Sequence, residues 1–153
     1  MTDKLALKKA IGDTLNSHNF LRKGQSWFLR GPDCTVVLNL QKDEFSDLYY
    51  VNFGVWLAVF GNNQYPQENQ CHVRARLERI FPTQRELIYD ACTIGPDQSF
   101  LSEFVKFLRE DVIPLCASCL TLKDLKGNIV SGRIPLHHVY YAAKVALGLT
   151  DPA

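Results

Sequence analysis

The residues of this chain whose types do chemistry fall into a few groups. They are Cys116-Ala-Ser-Cys119, four histidines (His18, His72, His137 and His138), and an Arg74-x-Arg76 pair downstream of a stretch rich in Asn, Tyr and Trp. A redox Cys-x-x-Cys opens a helix directly after a strand, where the helix N-terminus lowers a thiol pKa. Here the pair follows Pro114 inside a helical pattern, so two buried, reduced thiols are expected. Zinc needs four ligands. The downstream candidates His137 and His138 are neighbours, and on a helix they would point about 100° apart. No metal site and no cofactor is therefore expected. Nucleophilic catalysis needs a base beside its nucleophile, but Cys71 and His72 point to opposite faces of a strand. There is no Gly-x-Ser-x-Gly turn. Glu103 and Glu110 fall on an amphipathic helix, and the nine glycines are scattered rather than gathered into a phosphate loop. No catalytic residue is assigned, and binding is favoured over catalysis.

The surface that remains comes from three segments of alternating apolar and polar residues, 35–42, 49–60 and 71–81. Such alternation marks a sheet with one buried and one open face. Val36, Leu38, Leu40, Tyr49, Val51, Phe53, Val55, Leu57, Val59, Cys71, Val73, Ala75 and Leu77 are assigned to the buried face. The open face collects Asn39, Gln41, Tyr50, Asn52, Trp56, His72, Arg74, Arg76 and Glu78. The candidate binding residues are Tyr50, Asn52, Trp56, His72, Arg74 and Arg76. Arg grips carboxylate or phosphate through two parallel hydrogen bonds, and Trp and Tyr are enriched at interface hot spots. The plainer reading is a solvated strand face kept soluble by pairs such as Arg74–Glu78.

Those strands need positioning elements. Residues 3–19 read as an amphipathic helix with a Leu7, Ile11, Leu15 stripe and Asp3 in its first turn. Residues 25–30 read as a short strand, turned by Gly31-Pro32-Asp33 into the next one. Residues 82–92 read either as a turn with a short helix or as a fifth strand around 86–91. Gly95-Pro96-Asp97 breaks the chain. A helix capped by Ser99 follows to about residue 113, with Phe100, Phe104, Phe107, Leu108 and Val112 along one stripe, and Pro114 interrupts it. Thr121-Leu-Lys-Asp124 resembles a capping box, with Gly127 as terminator and a loop over 128–135. Residues 136–147 form the last helix. The fold class expected is α+β: an antiparallel meander of four strands, or five if 86–91 pairs, covered on one face by helices in α-β-β-β-β-α-α order.

The chain is expected to form a single domain, 1–153. A hydrophobic content of 46% with 22% charged residues is ordinary for a globular protein. A formal net charge of +1 disfavours a nucleic-acid binder or a polybasic membrane-surface protein. No apolar run approaches the roughly 18 residues of a membrane span, and the charged start MTDKLALKKAIGD lacks a signal-peptide core. Five cysteines without disulfide spacing fit a reducing compartment, so a cytoplasmic location is expected.

Several of these residues stand in an order that resembles a known family. Phe20-x-x-x-Gly24-x-x-Trp27-x-x-Arg30 is followed by Val36-x-Leu38-x-Leu40-Gln41-Lys42, Tyr50-x-Asn52-x-Gly54-Val55 and His72-x-Arg74-x-Arg76-Leu77. With the closing Tyr141-Ala-Ala-x-x-Ala-Leu-Gly148-x-x-Asp151 they resemble the bacterial domain-of-unknown-function family 4304. The resemblance implies a bacterial cytosolic α+β domain, and no activity, substrate or cofactor. Some relatives look like toxin-immunity proteins, which offers an immunity-type role by analogy. The expected partner is a protein or peptide bound through the open sheet face. The alternative is a small anionic ligand held in a pocket on the same face by Arg74 and Arg76.

Overall fold

The computed structural model describes residues 2–95 and 99–152. The expected break at Gly95-Pro96-Asp97 and the first-turn role of Asp3 fall largely outside what is described. Helix α1 (Thr2–Asn16) precedes a five-stranded antiparallel meander of β1 (Leu21–Lys23), β2 (Ser26–Arg30), β3 (Cys34–Lys42), β4 (Tyr49–Leu57) and β5 (Val73–Arg76). The register pairs Val36 with Val55, Leu38 with Phe53 and Leu40 with Val51 on one face. It pairs Val37 with Gly54, Asn39 with Asn52 and Gln41 with Tyr50 on the other. Alternation alone forces this split, because a slip of one residue would turn every apolar side chain to the wrong face. The first set, with Leu57 and Tyr49, is buried as expected.

The fifth strand is β1 on the opposite edge. Residues 86–91 lie in helix α3 (Arg85–Cys92). Three residues turned by Gly24 at φ 64° are too few to carry a periodicity. The sheet face also stops earlier than expected at two places. β4 ends at Leu57, and residues Ala58–Phe60 form a 3-10 turn that leaves Val59 64% exposed rather than inward. β5 ends at Arg76, where helix α2 (Leu77–Ile80) begins, burying Leu77 and Ile80 and carrying Glu78 off the sheet. Cys71 is not on the main core side. It joins Phe28, Val37 and Trp56 in a small second core on the other face, beneath the segment that follows β4. Gly54 makes the room: a Cβ there would sit 2.9 Å from the Cys71 sulfur.

Helices cover the main face. The α1 stripe Leu7, Ile11 and Leu15 is buried together with Trp27 and Leu38. Helix α4 (Leu101–Phe107) starts after Phe100, which holds the N-cap position one residue beyond the expected Ser99. Pro114 does not interrupt this helix. A π-helical turn, Leu108–Val112, precedes it, and the helix continues as α5 (Ile113–Ala117). The wider turn shifts the hydrogen-bond pattern where proline has no N–H to donate. Helix α6 (Leu122–Val130) is N-capped by Thr121, whose hydroxyl accepts from the Asp124 N–H at 3.1 Å. Gly127 lies inside it, and Gly132 at φ 85° follows its end, so the expected loop over 128–135 begins late.

The single last helix expected over 136–147 is broken. A 3-10 turn, Leu136–His138, leads into an extended pair of residues and then helix α7 (Tyr141–Ala146). Val139 bridges Val73, and the Tyr140 N–H donates to the His72 carbonyl at 2.9 Å. This covers part of the otherwise open edge of β5. Among the described residues no helix is long and apolar enough to cross a membrane.

Candidate functional site

The six expected binding residues do lie on the second face of the sheet or at its rim, but the structure divides them among four environments. Arg74 is already engaged. Its guanidinium donates to both Glu68 carboxylate oxygens, at 3.1 and 3.3 Å, and to the Tyr140 hydroxyl at 3.0 Å. Glu68 arrives on a 3-10 turn, Glu68–Gln70, and Tyr140 on the C-terminal segment. Arg74 therefore clamps two covering segments onto the sheet. Glu68 is the chief reason that its pKa lies above the ordinary arginine value. The Arg74–Glu78 pair does not form, because Glu78 belongs to α2.

Trp56 and His72 form a stack with Phe60, with ring centroids 4.5 and 4.4 Å from the imidazole. Trp56 donates its indole N–H to the Gly61 carbonyl at 2.9 Å. His72 Nδ1 accepts the Leu57 N–H at 3.0 Å, which fixes the neutral Nε2–H tautomer. Burial lowers its pKa in the same direction. Both side chains hold the end of β4 in place.

Asn52 is 7% exposed and sits in an amide network. It donates to Asn39 Oδ1 at 3.1 Å and to Gln41 Oε1 at 2.9 Å, while Asn39 donates onward to Ser26 at 2.9 Å. These amides floor a groove of about 560 Å³ walled by residues 65–69.

Arg76 stands apart from Arg74. Its guanidinium lies over the Tyr50 ring, 3.6 Å from the centroid. The pair lines a separate cleft of about 830 Å³ with Arg79, Arg85, Tyr89, Glu78, Glu86, Asp90, His137 and His138. Among the described residues, none of Arg76, Arg79 and Arg85 makes an ion pair with a carboxylate. The two imidazoles lie 4.0 Å apart, and the His138 pKa is lowered by burial and then by His137 and Arg79. The sequence reading missed this cleft. Its signal was Arg85 and Tyr89, four apart on a helix face that packs nothing, but their meeting with Arg76 needs the α2 turn.

The cysteine pair is buried with the other three cysteines, and all five are free thiols. Burial pushes Cys116 well above the ordinary thiol value and Cys119 up to about 11, against which Asn128 and Ser118 hydrogen bonds act. Among the described residues no group of three or more His, Cys, Asp or Glu is placed to hold a metal ion.

The chain belongs to the domain of unknown function DUF4304, whose model matches residues 11–118. The match spans the whole sheet, the two pockets' floors and the helix through Pro114. The His137–His138 wall and the Tyr140 partner of Arg74 lie beyond it. No curated protein and no solved structure matches.

Proposed function

We propose that this DUF4304 chain is a non-enzymatic binding domain that grips an anionic group of a protein or peptide partner, with Arg76 as the anchor. The observation that carries this reading is the stack of Arg76 on Tyr50 at 3.6 Å. Stacking fixes the guanidinium plane without using its N–H donors, so a carboxylate meets a pre-set fork. Arg79 and Arg85 add positive charge to the same cleft, while Glu78, Glu86 and Asp90 offset it. That balance suits a single anionic group better than a polyanion, which needs a basic excess. An immunity-type role, in which a toxin is blocked by being bound, fits this reading. So does a cytoplasmic location, since five free buried thiols suit a reducing compartment.

A small anionic ligand is the second reading, favoured by the cleft volume of about 830 Å³, which is the size of a small-molecule site. Titration with succinate, followed through the arginine side-chain N–H resonances, tests the anchor. Arg76 is expected to shift while Arg74, locked on Glu68, does not; an unmoved Arg76 at saturating succinate overturns the proposal. Purification from the native host separates the two readings. A protein partner lost in Arg76→Ala supports the first, and a small molecule released on denaturation supports the second.

A further inference from the structure

A row of polar side chains crosses the sheet at one level of the register. Ser26 pairs with Asn39, Asn39 with Asn52, and Asn52 with Arg76. The amide groove and the Arg76 cleft therefore meet at the Asn52–Arg76 pair. Adjacent strands lie about 4.8 Å apart, so the row is about 14 Å long, a length that four residues of extended chain span.

The hydrogen bonds within the row leave defined groups over. Asn52 uses its Nδ2 on Asn39 and Gln41, and Gln41 accepts through Oε1. Among the described residues, Asn52 Oδ1 and Gln41 Nε2 have no partner. An acceptor beside a donor matches a peptide backbone, which offers one N–H and one C=O per residue. The aromatic rings of the groove are occupied. Tyr65 lies under Lys23 at 4.4 Å and Arg30 at 4.5 Å, and its centroid is 5.4 Å from that of Phe28, edge to face. Stacking of a nucleobase or a sugar on an open ring is therefore disfavoured. Cations flank the row: Arg76 ends it on β5, and Lys23, paired with Ser26, lies one strand beyond its other end on β1, whereas Arg74 and Glu68 neutralise each other along its wall.

We infer that the occupant of this face is an extended acidic peptide segment. Its backbone is held by Asn52 and Gln41, and one acidic side chain is held at Arg76. This rests on the Arg76 anchor proposed above and adds the occupant and its path across the sheet. The test is selection of short random peptides on the wild-type chain, followed by affinity measurements on a selected peptide made with single backbone N-methyl groups. Selected peptides are expected to share an acidic position that Arg76→Gln abolishes. N-methylation within about four residues of that position should weaken binding roughly three- to tenfold, the effect of one lost hydrogen bond. Gln41→Ala, an exposed change that leaves the core intact, should do the same. An acidic position with no effect of N-methylation or Gln41→Ala overturns the peptide path and leaves the anchor standing. Enrichment without an acidic position overturns both. Failure to enrich any peptide, or binding of an oligosaccharide array instead, overturns the peptide occupant.

Discussion

Replacing Arg74 and Arg76 one at a time should separate two residues that look equivalent in the chain. Arg74 makes three side-chain hydrogen bonds, two of them to a carboxylate. Its side chain is 34% exposed and that of Glu68 11%, so the pair lies between a surface contact and a buried one. Exposed pairs contribute under about 1 kcal/mol, and hydrogen bonds to charged groups about 1.5–3 kcal/mol. Truncation also leaves the Glu68 carboxylate poorly solvated and without its counter-charge. Arg74→Ala is therefore expected to cost about 2–3 kcal/mol, or about 4–12 °C in Tm for a chain of this length. Arg76 has only its stack on Tyr50, which contributes about 0.5–1 kcal/mol at an exposed site, so Arg76→Ala should stay within about 1 kcal/mol of wild type. Urea denaturation of both variants, with a double-mutant cycle between Arg74 and Glu68, measures the difference. Equal midpoints for the two variants, or no coupling between Arg74 and Glu68, would refute the clamp and return Arg74 to the open face as a free group.

Three other outcomes follow from the packing. Phe104 is 0% exposed, so Phe104→Ala should lose about 3–5 kcal/mol; an unchanged unfolding midpoint would mean that α4 does not cover the sheet. All five thiols should react with a thiol reagent far more slowly in the native than in the denatured protein. The pKa of Cys71, Cys34 and Cys92 is pushed to about 12 by burial, and rapid native labelling would contradict this placement. His72 has a folded pKa below its ordinary 6.5, because burial favours the neutral ring. Its contribution to stability is therefore full above 6.5 and is lost as pH falls through the folded value. Ring nitrogen resonances should show an unprotonated Nδ1 at pH 6.5, and a His72 titrating above that pH would overturn the hydrogen bond to Leu57.

The candidate site was partly legible. Tyr50, Asn52, Trp56, His72, Arg74 and Arg76 stand on the second face because alternation places them there, yet alternation cannot say which of them is free. Arg74 and Arg76 are the same residue type two positions apart. Their difference arises from Glu68, six residues earlier, and Tyr140, 66 residues later. Leu77 misled for a similar reason: as an apolar residue it satisfies both the period of a strand and the first buried position of a helix. Cys71 lies on the second face because Gly54, which has no side chain, leaves a space there that a short thiol fills.

The sequence by itself determined which residues of β3 and β4 face the core, and the α1 stripe. Side-chain direction repeats every two residues in a strand and about every 3.6 in a helix, and a long apolar pattern is consistent with one such period only. The tertiary structure alone decided where the edges lie, how Pro114 is carried through a helix, and which polar groups are left unpaired. Those outcomes depend on contacts between segments far apart in the chain. The Arg76 fork is left without an ion pair among the described residues because the turn into α2 takes Glu78 off the strand face and the partners that hold Arg74 close on Arg74 instead.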